Sequence, residues 1–126
     1  PRTSSAASDV YKRQNLDGIF EKVDGLRTIN ELEEAQTSWF GVPIVCRDKK
    51  QKTALVKHLE DNRVQTRNYF AGNILQHPGY RHLGDASKYP NANQVLDKVF
   101  FVGCSPTITE EMIEYVDSVV MSFNNE

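Results

Sequence analysis

Apolar residues recur at helical spacing near both ends of the chain. Four of them begin the series: Leu16, Ile19, Phe20 and Val23. Gly25 follows them as a stop signal, so we predict the tail of a helix over residues 15–24. Towards the other end, Thr109 is a good N-terminal cap for a second apolar series. This series contains Met112, Ile113, Val116, Val119, Val120 and Phe123. It predicts an amphipathic helix with one buried face.

A third helical pattern covers residues 49–62. Leu55, Val56 and Leu59 make its apolar face, while charged residues occupy the other side. We predict that this helix ends in a left-handed cap at Asn62. His58 is expected to be an isolated surface residue on its polar side.

Three segments have the composition of strands: residues 38–47, 64–70 and 99–104. Pro43 has no amide hydrogen, which predicts an edge position or a bulge there. Residues 26–36 are weakly patterned and are interpreted as an extended connector. The order of elements predicts an α+β fold, with about three mostly antiparallel strands and the helices on one face.

Composition places the chain among soluble globular domains. Its 126 residues fit one domain, with 39% apolar and 25% charged residues. No apolar run approaches the roughly 20 residues of a membrane span, and no signal peptide is recognisable. A net charge of -2 offers no basic surface for nucleic acid. We therefore expect a cytoplasmic protein without nucleic-acid or membrane partners, in which Cys46 and Cys104 stay reduced thiols.

No strong catalytic motif is present, and neither cysteine has a context that favours a nucleophile. The richest polar segment is the long loop of residues 71–93, since loops of this length are usually functional or disordered. Several groups suited to binding lie in it or just before it: Arg67, Asn73, His77, Tyr80, Arg81 and His82. A binding loop and a solvated turn are both compatible with this pattern.

The opening residues are expected not to be native. Residues 4–14, SSAASDVYKRQ, resemble the translation of a transposon adapter used in sequencing libraries. We therefore expect residues 1–14 to be an artefact, unstructured and dispensable, and the native N-terminal part of the protein to be absent.

Three segments together resemble the C-terminal small domain of the DegT/DnrJ/StrS family of sugar aminotransferases and dehydrases. They are SWFGVPIV at 38–45, VQTRNYFAGNILQHPGY at 64–80 and VFFVGCSPTITEEMIEYV at 99–116. The TRNYFAGN run, in place of the family's Pro-Leu-His-like run, is similar to the 3-dehydrase branch. The resemblance implies that residues 15–37 are a helix tail and connector from a missing large domain, and that residues 38–126 are the small domain.

The resemblance also implies an activity. Family members are fold type I, vitamin-B6-dependent homodimers that bind pyridoxal or pyridoxamine 5'-phosphate mainly through the large domain. The 3-dehydrases remove the C3 hydroxyl of a CDP- or GDP-4-keto-6-deoxyhexose for the dideoxysugars of lipopolysaccharide O-antigens. Some members that act on CDP-sugars also need an iron–sulfur cluster and a reductase partner. In the dehydrase branch a histidine replaces the cofactor-holding lysine, in the part of the protein absent here.

Substrate-binding residues follow from the same resemblance, whereas catalytic and metal-binding residues are not expected in this fragment, which alone should be inactive. Arg67 suits a phosphate or carboxylate, although a structural ion pair is the alternative. Asn73 and His77 would contact the sugar from the loop. Trp39 and Phe40 would pack beside the sugar or the cofactor, or else belong to the core.

Two other functions stay open. One is a nucleotide-sugar aminotransferase of the same family. The other is a non-catalytic ligand-binding α+β module of ferredoxin-like type. The upstream sequence of the gene would discriminate among these three possibilities.

Overall fold

An antiparallel sheet of four strands organises the chain, of which the computed structural model describes residues 2–124, with side chains from 10 to 123. The strands are β1 (Arg27–Thr28), β2 (Gly41–Val45), β3 (Thr66–Asn68) and β4 (Val99–Gly103). Their order in the sheet is β1-β2-β4-β3, and every neighbouring pair is antiparallel. The predicted α+β class is confirmed. Strand β1 was not predicted, because two residues are too short for a period to show.

In the described part of the chain, four α-helices accompany the sheet: α1 (Arg2–Glu21), α2 (Lys49–Asp61), α3 (Pro90–Lys98) and α4 (Glu110–Asn124). Helix α2 begins where the Asp48 side chain accepts a 2.7 Å hydrogen bond from the Gln51 amide. Thr109 caps α4 as predicted, by accepting a 3.2 Å bond from the Met112 amide. Each cap satisfies an amide that the first helical turn leaves without a partner.

The core lies between one face of the sheet and helices α1, α2 and α4. Alternation along β2 and β4 directs Val42, Ile44, Phe100 and Val102 to this face, and all four are buried. The helices contribute the remaining apolar side chains, including Leu16, Ile19, Phe20, Leu55, Leu59, Ile113, Val119 and Val120. Complete burial of one such side chain contributes roughly 1.5–3 kcal/mol, so these faces hold the layers together.

Two helix ends differ from the predictions. Asn62 is not left-handed (φ −98°), and the next residue, Arg63, takes that conformation instead (φ 62°). Helix α1 does not begin near residue 15, because its backbone is helical from Arg2. The expectation that residues 1–14 are unstructured is therefore wrong for residues 2–14, while their non-native origin stays a prediction.

Pro43 lies in β2, an inner strand of the sheet, but at a position with a paired neighbour on one side only, which agrees with the predicted edge position. It pairs with Phe101 of β4 on one side. On the other side, β1 reaches only as far as the pair Thr28–Ile44. The strand tolerates proline because β1 ends before it could require an amide hydrogen there.

His58 joins two helices, and the expectation of an isolated surface residue is wrong. Its Nε2 lies 2.8 Å from the Val119 carbonyl oxygen and 2.9 Å from Ser122 Oγ of α4. Its ring centroid is 5.4 Å from that of Phe123. The polar side of α2 therefore also contributes to packing.

The segment predicted as one long loop has regular structure. Three short 3₁₀ helices cover Ile74–Gln76, Pro78–Leu83 and Ala86–Lys88, and α3 begins at Pro90. Proline suits the first turn of a helix, where an amide hydrogen has no acceptor in any case. We call residues 71–89 the 3₁₀ segment below. Within residues 2–124, no helix is long and apolar enough to cross a membrane.

Candidate functional site

Four aromatic rings cluster on the face of the sheet that points away from the core. They belong to Phe40, Tyr69, Phe70 and Phe101, with neighbouring ring centroids 5.3–6.4 Å apart. A cavity of about 170 Å³ lies among them, and Trp39, Pro43 and residues 37, 38 and 41 complete its lining. We call it the aromatic cavity. Phe40 and Phe70 remain 67% exposed, so its mouth is open to solvent.

The alternation of β4 creates this cavity. Phe100 points into the core, and Phe101 therefore points to the opposite face. Gly41 leaves room for it, because a Cβ atom there would lie only 2.5 Å from the Phe101 ring. The Phe40 carbonyl accepts a 2.9 Å bond from the Cys104 amide, which fixes the approach to β2 beside the cavity.

Arg67 does not line the aromatic cavity, but it neighbours Phe101, which does. Its register partner across β3 and β4 is Phe101, and paired residues of antiparallel strands project to the same face. Arg67 is exposed, and its side chain has no hydrogen bond or ion pair with any residue that the structure describes. It also borders a larger adjoining groove of about 790 Å³, which Phe101 shares. For the alternative role, a structural ion pair, Arg67 has no acidic partner among the described side chains.

Trp39 connects the aromatic cavity to α1. The Arg13 guanidinium carbon lies 4.0 Å from the centre of the Trp39 ring, a cation–π contact. Arg13 also donates to the Ile29 carbonyl and lies 3.6 Å from the Asp17 carboxylate. Trp39 Nε1 is buried without a hydrogen-bond acceptor among the described residues. Trp39 therefore has a packing role on one side and lines the cavity on the other.

Asn73 is buried, at 5% exposure, and holds the chain together locally. Its Oδ1 accepts a 3.0 Å bond from the Leu75 amide, and its Nδ2 donates to Asn93 Oδ1 at 2.7 Å. The preceding Gly72 is left-handed (φ 64°) and packs against Leu96. Neither residue lines the aromatic cavity. The predicted contact of Asn73 with a sugar thus competes with bonds that the side chain already makes.

His77 is exposed and lies within the 3₁₀ segment. Its Nε2 is 2.8 Å from the Ala71 carbonyl oxygen. Arg81 donates a long 3.5 Å bond to the Gln76 carbonyl. Exposed apolar side chains accompany them, namely Ile74, Tyr80, Leu83 and Tyr89. The structure therefore places His77 on an exposed surface outside the aromatic cavity, whereas Trp39, Phe40 and Arg67 come together around Phe101.

The aromatic cavity has no amine that could anchor an aldehyde cofactor. No lysine lines the aromatic cavity. The buried Lys52, in α2, donates a 2.8 Å bond to the Leu96 carbonyl, and burial lowers the pKa of its ammonium. No group of three or more His, Cys, Asp or Glu side chains suited to a metal ion occurs within residues 10–123. The aromatic cavity can therefore line a site but has no lysine that could hold a cofactor.

Cys46 and Cys104 lie at opposite ends of the β2–β4 ladder. The Cys46 amide bonds to the Lys98 carbonyl, just before β4, and Cys104 follows its last residue. Six residues of extended chain correspond to roughly 20 Å, too far for a disulfide or a shared metal. Burial raises the pKa of the Cys46 thiol to about 12. Such a thiol is a poor nucleophile at neutral pH, as the sequence predicted.

Sequence reasoning missed Pro43, Tyr69, Phe70 and Phe101 as lining residues. The aromatic run Tyr69–Phe70 was visible, and so was Phe101 inside the strand pattern. What was not visible is that Phe70 has a left-handed backbone (φ 54°), which keeps its ring on the exposed face. Alternation alone would have put it on the side of Asn68.

Comparison with known proteins gives a consistent assignment. Residues 8–121 match the model of the DegT/DnrJ/EryC1/StrS aminotransferase family. The chain is 32% identical over 120 residues to the lipopolysaccharide biosynthesis protein RfbH of Salmonella typhimurium, covering 90% of this chain and 26% of that protein. It is 33% identical over 115 residues to a dTDP-4-dehydro-2,6-dideoxy-D-glucose 3-dehydratase of Saccharopolyspora spinosa, covering 88% and 24%. The chain thus spans about a quarter of these relatives.

Solved structures share the fold. The sugar aminotransferase Spr1654 of Streptococcus pneumoniae, described as a PMP form, superposes with a TM-score of 0.83 at 12% identity, over 98% of this chain and 31% of that one. The GDP-4-keto-6-deoxy-D-mannose-3-dehydratase of E. coli, with bound hydrated PLP, superposes with a TM-score of 0.71 at 20% identity, over 92% and 31%. The fold agrees with the sequence relationship, and the chain belongs to the DegT/DnrJ/EryC1/StrS aminotransferase family.

Proposed function

We propose that this chain is the C-terminal small domain of a vitamin-B6-dependent 3-dehydrase that removes the C3 hydroxyl of an NDP-4-keto-6-deoxyhexose. Of two relatives at 32–33% identity, the Saccharopolyspora spinosa enzyme supports this reaction, and the Salmonella typhimurium protein supports the pathway. One is named for lipopolysaccharide biosynthesis and the other for 3-dehydration of a nucleotide-activated deoxysugar. The proposed product would supply dideoxysugars to lipopolysaccharide.

The observation that carries this proposal is the exposed Arg67 beside the aromatic cavity. Its guanidinium has no partner among the described residues, and its planar fork suits two phosphate oxygens at once. A nucleotide-sugar has the matching features, since it combines a diphosphate with less polar rings. We propose that Arg67 binds the diphosphate or a neighbouring sugar oxygen, and that Trp39 and Phe40 exclude water beside it. Asn73 and His77 stay in the proposal as contacts from the 3₁₀ segment.

The cofactor would be held outside this chain. When bound, pyridoxal or pyridoxamine phosphate supplies the electron sink for the chemistry at the sugar. The residues described here would orient the substrate and keep the site dry. In the proposed arrangement residues 15–37 connect to a large domain, residues 38–126 form the small domain, and residues 1–14 are not native. We also propose that the full-length parent is a cytoplasmic homodimer.

An iron–sulfur centre and a reductase partner enter the proposal only for a parent that acts on CDP-sugars. Cys46 and Cys104 would not ligate such a cluster. They are buried at opposite ends of the β2–β4 ladder, and a cluster needs several thiolates at one place.

A nucleotide-sugar aminotransferase is the second candidate. The family's own description and the structural similarity to the Streptococcus pneumoniae enzyme favour it. Both reactions can draw an amino group from glutamate, but only the aminotransferase leaves nitrogen on the sugar. The fate of isotopically labelled nitrogen therefore distinguishes them.

The test is an assay of the full-length parent, obtained from the complete gene. CDP-, GDP- and dTDP-4-keto-6-deoxyhexoses are incubated with enzyme, cofactor and labelled glutamate, with and without a reductase and its electron donor, because removal of the C3 hydroxyl consumes two electrons. The products are identified by mass spectrometry and NMR. We expect a 3-deoxy sugar that contains no label. A labelled amino sugar would establish the aminotransferase, and binding without turnover would favour the non-catalytic module.

A further inference from the structure

Phe70 has a strained backbone. Its φ of 54° lies in the left-handed region, which costs a residue other than glycine on the order of 1 kcal/mol. A tight turn maintains it: the Phe70 amide donates to the Asn68 carbonyl at 2.7 Å, and the Gly72 amide donates to the Tyr69 carbonyl at 3.2 Å. Strain of this kind persists only where the surroundings impose it, and it concentrates at functional sites.

Burial of the Phe70 side chain offsets little of this strain energy. The Phe70 side chain is 67% exposed, so most of its apolar surface stays in water. Its ring is edge-on to Phe40, with centroids 6.4 Å apart and planes at 66°. It is tilted by 32° to Phe101, with centroids 6.1 Å apart. These contacts hold the ring in one orientation and leave most of its surface open at the mouth of the aromatic cavity.

We infer that Phe70 is a specificity-determining residue whose exposed ring stacks on the base of the bound nucleotide-sugar. This inference rests on the proposed function and names which part of the substrate occupies the aromatic cavity. The base is the flat part of the molecule with an apolar face, whereas the diphosphate and the sugar hydroxyls would lose hydration among aromatic side chains. Aromatic stacking is also how proteins commonly hold an unpaired base.

The position of Arg67 agrees with this arrangement. It precedes Phe70 by three residues in the same segment and lies on the face that carries Phe101. A base on Phe70 would leave the diphosphate directed towards solvent, where the Arg67 guanidinium is available. The cation and the ring would thus recognise adjacent parts of one nucleotide.

The experiment uses the full-length parent and five variants. Phe70→Ala removes the ring, and Phe70→Gly removes both the ring and the backbone strain. A folding defect of Phe70→Ala that comes from the strained backbone should therefore be absent in Phe70→Gly. Phe70→Trp keeps a stacking surface and Phe70→Leu keeps only apolar bulk. Leu32→Ala is the control, because Leu32 is 80% exposed and lies outside the cavity. Inhibition constants are measured for CDP, GDP and dTDP, and for pyrophosphate, which has no base.

We expect the inhibition constant of the preferred nucleoside diphosphate to rise about fivefold or more in Phe70→Ala, Phe70→Gly and Phe70→Leu. It should stay near the wild-type value in Phe70→Trp and Leu32→Ala. The pyrophosphate constant should not change in any variant. A nucleotide constant that is insensitive to Phe70, or one that changes equally with the pyrophosphate constant, would overturn the inference.

The two proposals fail in different ways. If the wild-type parent converts no 4-keto-6-deoxyhexose but binds nucleotides through Phe70, the proposed function fails and the stacking role stands. If it converts the sugar and Phe70→Ala leaves nucleotide inhibition unchanged, the stacking role fails alone. A parent that binds no nucleoside diphosphate would overturn the stacking role as well.

Discussion

Asn73 and Asn93, 20 residues apart in the chain, are joined through their side chains: Asn73 Nδ2 donates to Asn93 Oδ1 at 2.7 Å. The same oxygen accepts from Gln76 Nε2, and Asn93 Nδ2 donates to the Ala86 carbonyl at 3.0 Å. One side chain of α3 therefore holds both ends of the 3₁₀ segment. This segment would otherwise have few buried apolar contacts to keep it in place.

Asn93→Ala should loosen the 3₁₀ segment without disrupting the sheet. Loss of these bonds leaves the buried Asn73 amide without its partner, so we expect the free energy of unfolding to fall by about 1–3 kcal/mol. Hydrogen exchange should accelerate at residues 74–88 more than in β2 or β4. Asn91→Ala is the matched control, since Asn91 is exposed on the same helix. Equal exchange in the two variants would contradict the anchoring role.

Gly72→Ala should be far more damaging than Gly79→Ala. An added Cβ at Gly72 would lie 2.6 Å from Leu96 Cβ and 2.7 Å from Leu96 Cα, and the left-handed φ of 64° adds strain. At Gly79 nothing lies within 4 Å. We expect a loss of about 1–3 kcal/mol at Gly72 and a change within about 0.5 kcal/mol at Gly79. Urea unfolding of both variants measures the difference, and similar midpoints would refute the close approach.

Arg67→Ala in the full-length parent should reduce kcat/KM for the nucleotide-sugar at least tenfold, or about 1.4 kcal/mol. Arg67→Lys should restore only part of it, because an ammonium lacks the bidentate fork. The melting temperature should barely move, since Arg67 is exposed and has no partner among the described residues. Arg27→Ala is the control, an exposed arginine on the opposite edge strand. A lower melting temperature with normal turnover would remove Arg67 from the site.

Arg13→Ala should destabilise the chain by about 1–2 kcal/mol, through its lost hydrogen bond and cation–π contact. Arg13 donates to the Ile29 carbonyl, packs on Trp39, and lies beside Asp17, whose pKa is raised mainly by burial. Without the guanidinium, that pKa should rise further. Gln14→Ala is the control, because Gln14 is exposed.

Deletion of residues 1–14 tests whether that segment contributes to the stability of the fold. If it is an artefact that contributes nothing, urea unfolding should change by less than about 0.5 kcal/mol. Because Arg13 contacts Ile29 and Trp39, we expect the free energy of unfolding to fall by more than this. An unchanged midpoint would show that these contacts do not stabilise the fold.

Cys46 should resist alkylation in the folded chain. At a pKa of about 12, almost no thiolate is present at pH 8, whereas the unfolded chain has a thiol near its ordinary value of about 9. Because the folded pKa is the higher one, the folded state keeps a proton that the unfolded state loses. The contribution of the Cys46 thiol to the free energy of unfolding is therefore complete below pH 9 and declines as the pH rises towards 12. Labelling followed by mass spectrometry, with and without urea, measures the protection, and equal rates would contradict it.

Much of the fold could be predicted because its signals are local and periodic. Leu55 and Leu59 are one helical turn apart, and both are buried as predicted. Thr109 caps α4 because its side chain reaches an amide three residues later. The antiparallel α+β class follows from short strands of alternating or apolar residues separated by helices. These features depend on neighbours in the chain and need no knowledge of distant contacts.

The candidate site could be predicted only in part. Trp39, Phe40 and Arg67 were chosen from the sequence and lie next to Phe101, while their role in binding a substrate stays a prediction. Asn73 and His77 were chosen by the same reasoning, but they bond to Asn93 and Ala71. A polar residue in a loop looks the same in the sequence whether it binds a ligand or closes a turn.

Periodicity and composition were sufficient to locate helices α2 and α4 and the end of α1, to identify the buried face of each, and to indicate the family to which the chain belongs. Long-range packing was needed to establish that β1 joins the sheet, that α3 interrupts the long loop, and that Phe70 turns its ring towards the aromatic cavity. It was also needed to establish the pairing of Arg67 with Phe101, because register depends on strands more than 30 residues apart. Local periodicity specifies which side of an element is apolar, whereas pairing across the sheet specifies which side chains become neighbours.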